Sequence, residues 1–334
     1  MNWSNELLSV RRAGRACAAS VIALAAFSSV AFAQEEISIG ALYLDAQGFY
    51  GGIKKGIEAG ASDENLRLLG QNSQGDASRE AQFASTLISS GVDAIIMSPV
   101  SATASVPVVR QAFEAGIPVI CYNTCISDEF AKQYVAALVT TDQYKLGHDV
   151  GVVAGQYFVD KGVTAPRFGI LNCDVYEACV ERKAGFKAAV EELVPGVIWG
   201  ADQAGFEPGK STETATTMLT GDSEIVAMFA TTDNGTVGAV QGIQASGREG
   251  KVVVFGNDMS AQLAQYLINS PDTLIATNGQ QPQEMGRDSI KVALAAVRGE
   301  TIENYLTTVP TELFLSANPD QVKAWLEAHA DGIP

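Results

Sequence analysis

Histidine is nearly absent from this sequence: His148 and His329 are the two in 334 residues. That shortage removes most imidazole-based hydrolytic and metal chemistry. No Ser-His-Asp set stands out, and neither G-x-S-x-G nor H-E-x-x-H occurs. C-x-x-C is missing as well, which argues against dithiol redox catalysis. The first βα turn, "GALYLDAQGFYGGIKKG" (40–56), has no G-x-G-x-x-G and no G-x-x-x-x-G-K-[ST], so it offers no phosphate nest. Two rings, Phe49 and Tyr50, stand there instead. Beyond residue 33 no run approaches the ~20 apolar residues of a membrane helix. Positive charge is scarce too, with 22 Lys and Arg against 38 Asp and Glu. An acidic chain is a poor partner for nucleic acid or anionic lipid.

What is present begins with an export signature. Residues 1–33 read as a secretory signal: Arg11, Arg12 and Arg15, then an uncharged run from Ala16 to Ala33 ending in an A-x-A site before Gln34. The surroundings of the paired arginines fit twin-arginine export poorly, so the general route is expected. Cys17 precedes the apolar run and is not a lipidation site. Removing three Arg and one Glu with this segment leaves 19 basic and 37 acidic residues, a net charge near −18. With 47% hydrophobic residues, about 300 residues can form two domains or one large α/β unit.

Cys121, Cys125, Cys173 and Cys179 remain in the exported part. An even number in an oxidising compartment favours disulfides, and four cysteines allow three pairings. The spacings suit zinc badly, and neither histidine lies near them in sequence. No metal and no cofactor is expected.

Apolar β-rich runs alternate with helical patterns along the whole chain. "EISIGALYL", "ENLRLLGQN", "DAIIMSP", "PVICYN" and "YVAALVTT" form one round; "RFGILNC", "GVIWGADQ", "IVAMFATT" and "KVVVFGN" form a second after Asp142. Helical stretches such as "ASREAQFASTLISSG" separate them. Near-continuous apolar strands flanked by helices mean parallel sheets covered on both faces. The fold expected is α/β, with two Rossmann-like, doubly wound lobes.

Ligands of such sheets sit beyond the carboxyl ends of the strands. The residues found there are Asp45, Gln47, Phe49 and Tyr50, then Ser98, then Asn123 and Thr124. The second round supplies Asp174, Tyr176, Phe206, Thr232, Asn257 and Asp258, and "TLIATNG" leads to Gln280. Singly, each has an ordinary reading: Asn and Asp after strands form turns and caps, and a lone Phe belongs in a core. Together they combine ring faces with amides, hydroxyls and carboxylates, the inventory a sugar or polyol needs.

In order, "GALYLDAQGFYGGIKKGIEAGA", "ISSGVDAIIMSPVSATA", "AGIPVICYN", "TTDQYKLGHDVG", "VERKAGFKAAV", "AMFATTDNGTVGAVQGIQASG" and "VVVFGNDMS" resemble the periplasmic monosaccharide-binding proteins of the ribose-binding type, the receptors of ABC importers. The resemblance spans roughly residues 36–316. It implies a three-strand hinge, a cleft that closes on the ligand, a periplasmic location, a monomer and a permease partner in the inner membrane. It divides the chain into a first lobe of 34–141 plus 281–307 and a second of 142–280 plus 308–334. The crossovers are expected near Thr140–Asp142, Gly279–Gln281 and Thr307–Val309. The implied pocket carries over to Gln47, Phe49, Tyr50, Ser98, Asn123, Thr124, Phe206, Thr232, Asn257, Asp258 and Gln280, beside Asp45 and Asp174 from the strand ends. There are departures. The family's Asp-Arg after the fourth strand is Asn123-Thr124 here, and its second-lobe arginine falls on Val180, with Arg182 off register. Loss of both arginines beside a retained Asp258 argues against ribose itself and for a neutral polyol, a deoxy sugar or an amino sugar.

An opening cleft also bears on the cysteines. Local pairs, Cys173–Cys179 and Cys121–Cys125, leave the lobes free to move. A Cys125–Cys179 bridge across the cleft is the alternative. Other functions fit less well. A two-lobed transcription regulator needs a helix-turn-helix where this chain has a signal. A carboxylate-dependent hydrolase needs Asp45, Asp174 and Asp258 to converge. A receptor presenting its ligand to a chemoreceptor or sensor kinase would bind by the same chemistry.

Overall fold

The structure is a computed structural model and describes residues 36–334. The secretory-signal reading falls on residues 1–33, outside the described ones. Strands β1 (Ser38–Tyr43), β2 (Arg67–Asn72), β3 (Ala94–Met97), β4 (Val119–Tyr122) and β5 (Ala137–Thr141) alternate with helices α1 (Gly48–Asp63), α2 (Ala77–Ser89), α3 (Val106–Glu114) and α4 (Asp128–Tyr134). The second round runs α5 (Gln143–Asp160), β6 (Arg167–Asn172), α6 (Glu177–Leu193), β7 (Ile198–Ala204), α7 (Lys210–Gly221), β8 (Ile225–Ala230), α8 (Asp233–Ala245), β9 (Val253–Asn257), α9 (Ala261–Asn269) and β10 (Leu274–Gly279). The chain then forms α10 (Pro282–Val297), β11 (Leu306–Val309), β12 (Glu312–Leu315) and α11 (Pro319–Ala328).

Two six-stranded sheets result, ordered β2-β1-β3-β4-β5-β11 and β7-β6-β8-β9-β10-β12. All pairings are parallel except β10 with β12. The central strands "SIGALY", "AIIM" and "VICY" are buried at every position, because helices cover both faces. β2 and β7 are edge strands with mixed exposure, which explains their more polar sequences.

The chain passes between sheets three times. β5 ends at Thr141, and Asp142 at once caps α5, its Oδ1 accepting from the Lys145 amide at 2.8 Å. β10 ends at Gly279, and Pro282 opens α10 against the first lobe. The third crossing lies at Pro310–Thr311. It falls past the expected Thr307–Val309 because β11 keeps Thr308 and Val309 paired to β5. The last residues also depart from the expected second lobe. After α11 the chain returns to α1, where Asp331 pairs with Lys55 at 2.6 Å and Pro334 lies over Gly52.

Glycines set the closest helix contacts. On α1, Gly52, Gly56 and Gly60 recur every fourth residue and face α10; a Cβ on Gly56 would overlap the Gln283 carbonyl oxygen. On α5, Gly147, Gly151 and Gly155 do the same toward α6, where a Cβ on Gly147 would overlap the Arg182 carbonyl oxygen. These two helix pairs flank the crossovers. Beneath the second pair lies an aromatic core of Phe158, Phe168, Phe186, Phe229 and Phe255, with Phe186 and Phe229 stacked at 3.8 Å. Burying each ring contributes roughly 2–3 kcal/mol.

Candidate functional site

Parallel strands place all their carboxyl ends on one edge of a sheet. The first two crossings leave from that edge in both lobes. The loops that follow the strands therefore gather on the crossover side of each sheet, as the two walls of a candidate cleft.

The first wall is built after β1, β3 and β4. Gly48, at φ 50°, turns the chain into α1, and Gln47 caps the helix without using its side chain. Phe49 and Tyr50 follow, edge to face at 5.5 Å. The Tyr50 hydroxyl accepts from Asn123 Nδ2 at 3.0 Å. Asn123 adopts φ 60°, a conformation Asn tolerates better than most residues. Its carbonyl accepts from Thr140 Oγ1 at 2.8 Å, which fixes that turn. Ser98 Oγ and Thr124 Oγ1 lie 3.0 Å apart. Burial pushes the Tyr50 phenol up, against the pull of Asn123 and Ser98, with small additions from Asp45 and Tyr176. Tyr50 is thus a neutral hydroxyl on an aromatic wall.

The second wall centres on Asp258, held at φ 69° after β9. Its backbone is pinned on both sides: its amide donates to the Asn278 carbonyl at 2.8 Å, and its carbonyl accepts from Thr277 Oγ1 at 2.6 Å. Its carboxylate accepts from Gln280 Nε2 at 2.9 Å, from the Asp233 amide at 3.3 Å and from Arg182 Nη1 at 3.2 and 3.3 Å. Arg182 is buried; its Nε donates to Gln143 Oε1 at 2.7 Å and its Nη1 to the Thr231 carbonyl at 2.8 Å. The expectation that no second-lobe arginine serves the site is therefore corrected. Two residues beyond the anticipated position, Arg182 turns inward and balances Asp258. The case for an amino sugar, which rested on an uncompensated carboxylate, loses its basis.

Other expected residues divide. Phe206 packs against Tyr176, edge to face at 5.9 Å, so the second wall carries a ring pair like the first. Gln280 joins the cleft through Asp258, with its Oε1 buried and without a hydrogen-bond partner among the described residues. Asn257 does not present its side chain to the cleft: it is fully buried and donates to the Leu146 carbonyl at 3.2 Å. Thr232 caps α8, its Oγ1 accepting from the Gly235 amide at 3.1 Å. Asp45 accepts from the Ala46 amide at 2.6 Å, as a turn former does. Asp174 is exposed and tied to Lys183, which also reaches Asp202 at 2.9 Å. Asp174 and Asp258 are thus each ion-paired, so the three aspartates are not a set of free carboxylates ready for acid–base work.

The cysteines pair locally, Cys121 with Cys125 and Cys173 with Cys179. Each bond braces a loop at the end of a strand. Sequence reasoning set Arg182 aside as off register and missed Gln143 and Asp233. Asp233 is half-buried and accepts from Ser260 Oγ at 2.7 Å. Burial pushes its carboxyl up to about 6; Ser260 opposes the shift, and the neighbouring Asp258 charge adds to it. A Gln at the first position of a helix and an Arg beside a Lys carry no local sign of burial, although "TTDNG" at a strand end marked out Asp233's position.

Two doubly wound lobes, three crossovers and a cleft walled by rings over amides and a paired carboxylate define a two-lobed solute-binding protein of the α/β class. The periplasmic binding protein domain model matches residues 41–301, and the chain belongs to that family. It is 35% identical over 304 residues to the ABC transporter periplasmic-binding protein YphF of Escherichia coli K12, covering 90% of this chain and 92% of that one. The ribose import binding protein RbsB of Bacillus subtilis is 28% identical, with 78% and 81% covered. Among solved structures, a periplasmic solute-binding protein from Actinobacillus succinogenes with bound D-allose superposes with TM-score 0.75 at 22% identity, covering 86% of this chain and 100% of that one. A galactofuranose-binding protein gives TM-score 0.74 at 21% identity, with 89% and 99% covered.

Proposed function

We propose that the protein captures a neutral monosaccharide or cyclic polyol between its lobes, in the periplasm, and delivers it to the permease of an ABC importer. The observation that supports this reading is a ring pair at the strand ends of each lobe, Phe49 with Tyr50 and Tyr176 with Phe206, beside the hydroxyls of Tyr50, Ser98 and Thr124 and the Asp258–Gln280 cluster. Ring faces cover the C–H faces of a sugar, while planar amides and carboxylates meet its hydroxyls. A carboxylate that already carries an arginine fits an uncharged ligand better than a cationic one. The chemistry is binding, with closure expelling water from the site. YphF is described as an ABC transporter component, and relatives and structural neighbours are described with ribose, D-allose and myo-inositol; these supply the probes. Purified exported protein is screened by thermal shift against D-ribose, D-allose, myo-inositol and D-glucosamine. A neutral compound should raise the melting temperature, because it binds the folded state alone. A response to D-glucosamine alone would overturn the neutral-ligand reading, and no response to any of the four would count against sugar capture.

A further inference from the structure

Tyr176 is an unusual residue in its setting. The residue is 59% exposed and the preceding Val175 is 74% exposed, yet its backbone is tied down on both sides. It is the N-cap of α6. Its amide donates to the Cys173 carbonyl at 2.9 Å, and its own carbonyl accepts from the Cys179 amide at 3.0 Å and the Val180 amide at 3.3 Å. It is one of the five residues between the cysteines of the Cys173–Cys179 disulfide, and Lys183 ties down Asp174 in the same loop. A loop fixed by a covalent link, an ion pair and a helix cap holds a large ring out in solvent. Its ring contact is with Phe206, edge-on. Tyr176 follows β6 as Tyr50 follows β1, at the carboxyl-end edge of its sheet. An exposed aromatic gains little from such fixing unless it covers something that comes and goes.

We propose that Tyr176 is a specificity-determining residue: a rigid ring at the cleft mouth that limits which ring substituents the ligand projects outward, with the Cys173–Cys179 loop as its mount. This rests on the reading of the cleft as a sugar site. Phe206 and Phe49 cover ligand faces, whereas Tyr176 stands at the edge, where a hexopyranose carries the exocyclic hydroxymethyl that a pentopyranose lacks. D-allose and D-ribose differ by that one group, so they probe the position directly.

The test measures dissociation constants of both sugars by titration calorimetry for the wild type, Tyr176→Ala, Tyr176→Phe and Cys173→Ser/Cys179→Ser. Pocket edges that sense one carbon discriminate by about 10-fold or more. Tyr176→Ala is therefore expected to move the ribose-to-allose affinity ratio by about 5-fold or more toward the hexose, and Tyr176→Phe to leave the ratio near wild type. The disulfide variant should move the ratio the same way by a smaller factor, because the ring remains on a looser mount. Equal losses for both sugars in Tyr176→Ala would mean a structural role and overturn the proposal, as would unchanged affinities. If the wild type binds neither sugar, this inference fails, and the reading of the cleft fails with it only if myo-inositol is not bound either. Wild-type binding with an unmoved ratio fails the inference alone.

Discussion

At the residue scale, the second wall turns on how two carboxylates share one neighbourhood. Asp258 has Arg182, and Asp233 has a hydroxyl and a helix start. The consequence is a pH dependence. Asp233 titrates near 6 in the folded protein against its ordinary 3.8, so folding takes up a proton between those values. The stability this group contributes is present in full below about pH 4 and is lost as pH rises through about 6. Asp233→Asn keeps an acceptor for Ser260 and carries no charge. The melting temperature of the wild type should therefore fall relative to Asp233→Asn as pH rises from 4 to 7. Parallel curves over that range would mean that ionising Asp233 costs the fold nothing. The position of "TTDNG" at a strand end was legible in the chain, but the shift was not. It comes from burial and from Asp258, which lies 25 residues away and is brought near by adjacent strands.

At the element scale, the glycine faces of α1 and α5 decide how closely the crossover helices approach. Gly147 meets the backbone of α6 at Arg182, so a methyl group there pushes on the residue that holds Asp258. Gly147→Ala should lose about 1–3 kcal/mol, the usual scale of overpacking, and should weaken ligand binding as Arg182 shifts. Gly221, at the end of α7, would place a Cβ in open space. Gly221→Ala should be neutral or stabilise by up to about 1 kcal/mol, because it restricts the unfolded chain. Urea denaturation of the two variants makes the comparison, and equal stabilities would show that α5 and α6 tolerate separation. The Gly-x-x-x-Gly spacing is visible in "GGIKKGIEAGA" and "LGHDVGVVAG". Which helix each face meets is not, because α10 reaches α1 only after the chain has built the whole second lobe.

At the scale of the molecule, the lobes are joined at Asp142, at Gln280–Gln281 and at Pro310–Thr311, and residues 331–334 lie back across α1. The proposed closure turns on these crossovers, where small backbone changes would rotate one wall toward the other. Closure predicts that a saturating ligand reduces the radius of gyration in solution scattering. Profiles that superpose with and without ligand would remove hinge closure from the mechanism. The Lys55–Asp331 pair is too exposed to lock the lobes together.

Hydrophobic patterning alone determined the alternating strands and helices, hence two doubly wound lobes, and placed the candidate residues at strand ends. It did so because strand and helix periodicities are local and a covered parallel sheet needs unbroken apolar runs. Cysteine spacing similarly allowed the two local disulfides. Tertiary structure alone decided which side chains at those ends face the cleft. Asn257 and Asp258 are neighbours in the chain, yet one is spent on the Leu146 carbonyl while the other, turned by a positive φ, becomes the hub of the second wall. Arg182 enters the site because α6 packs against α5 with its guanidinium turned inward. The return of residues 331–334 to the first lobe likewise depends on Gly51 and Gly52 leaving room beside Lys55. Each of these outcomes joins residues far apart in sequence, and helix packing, rather than any local preference, sets them.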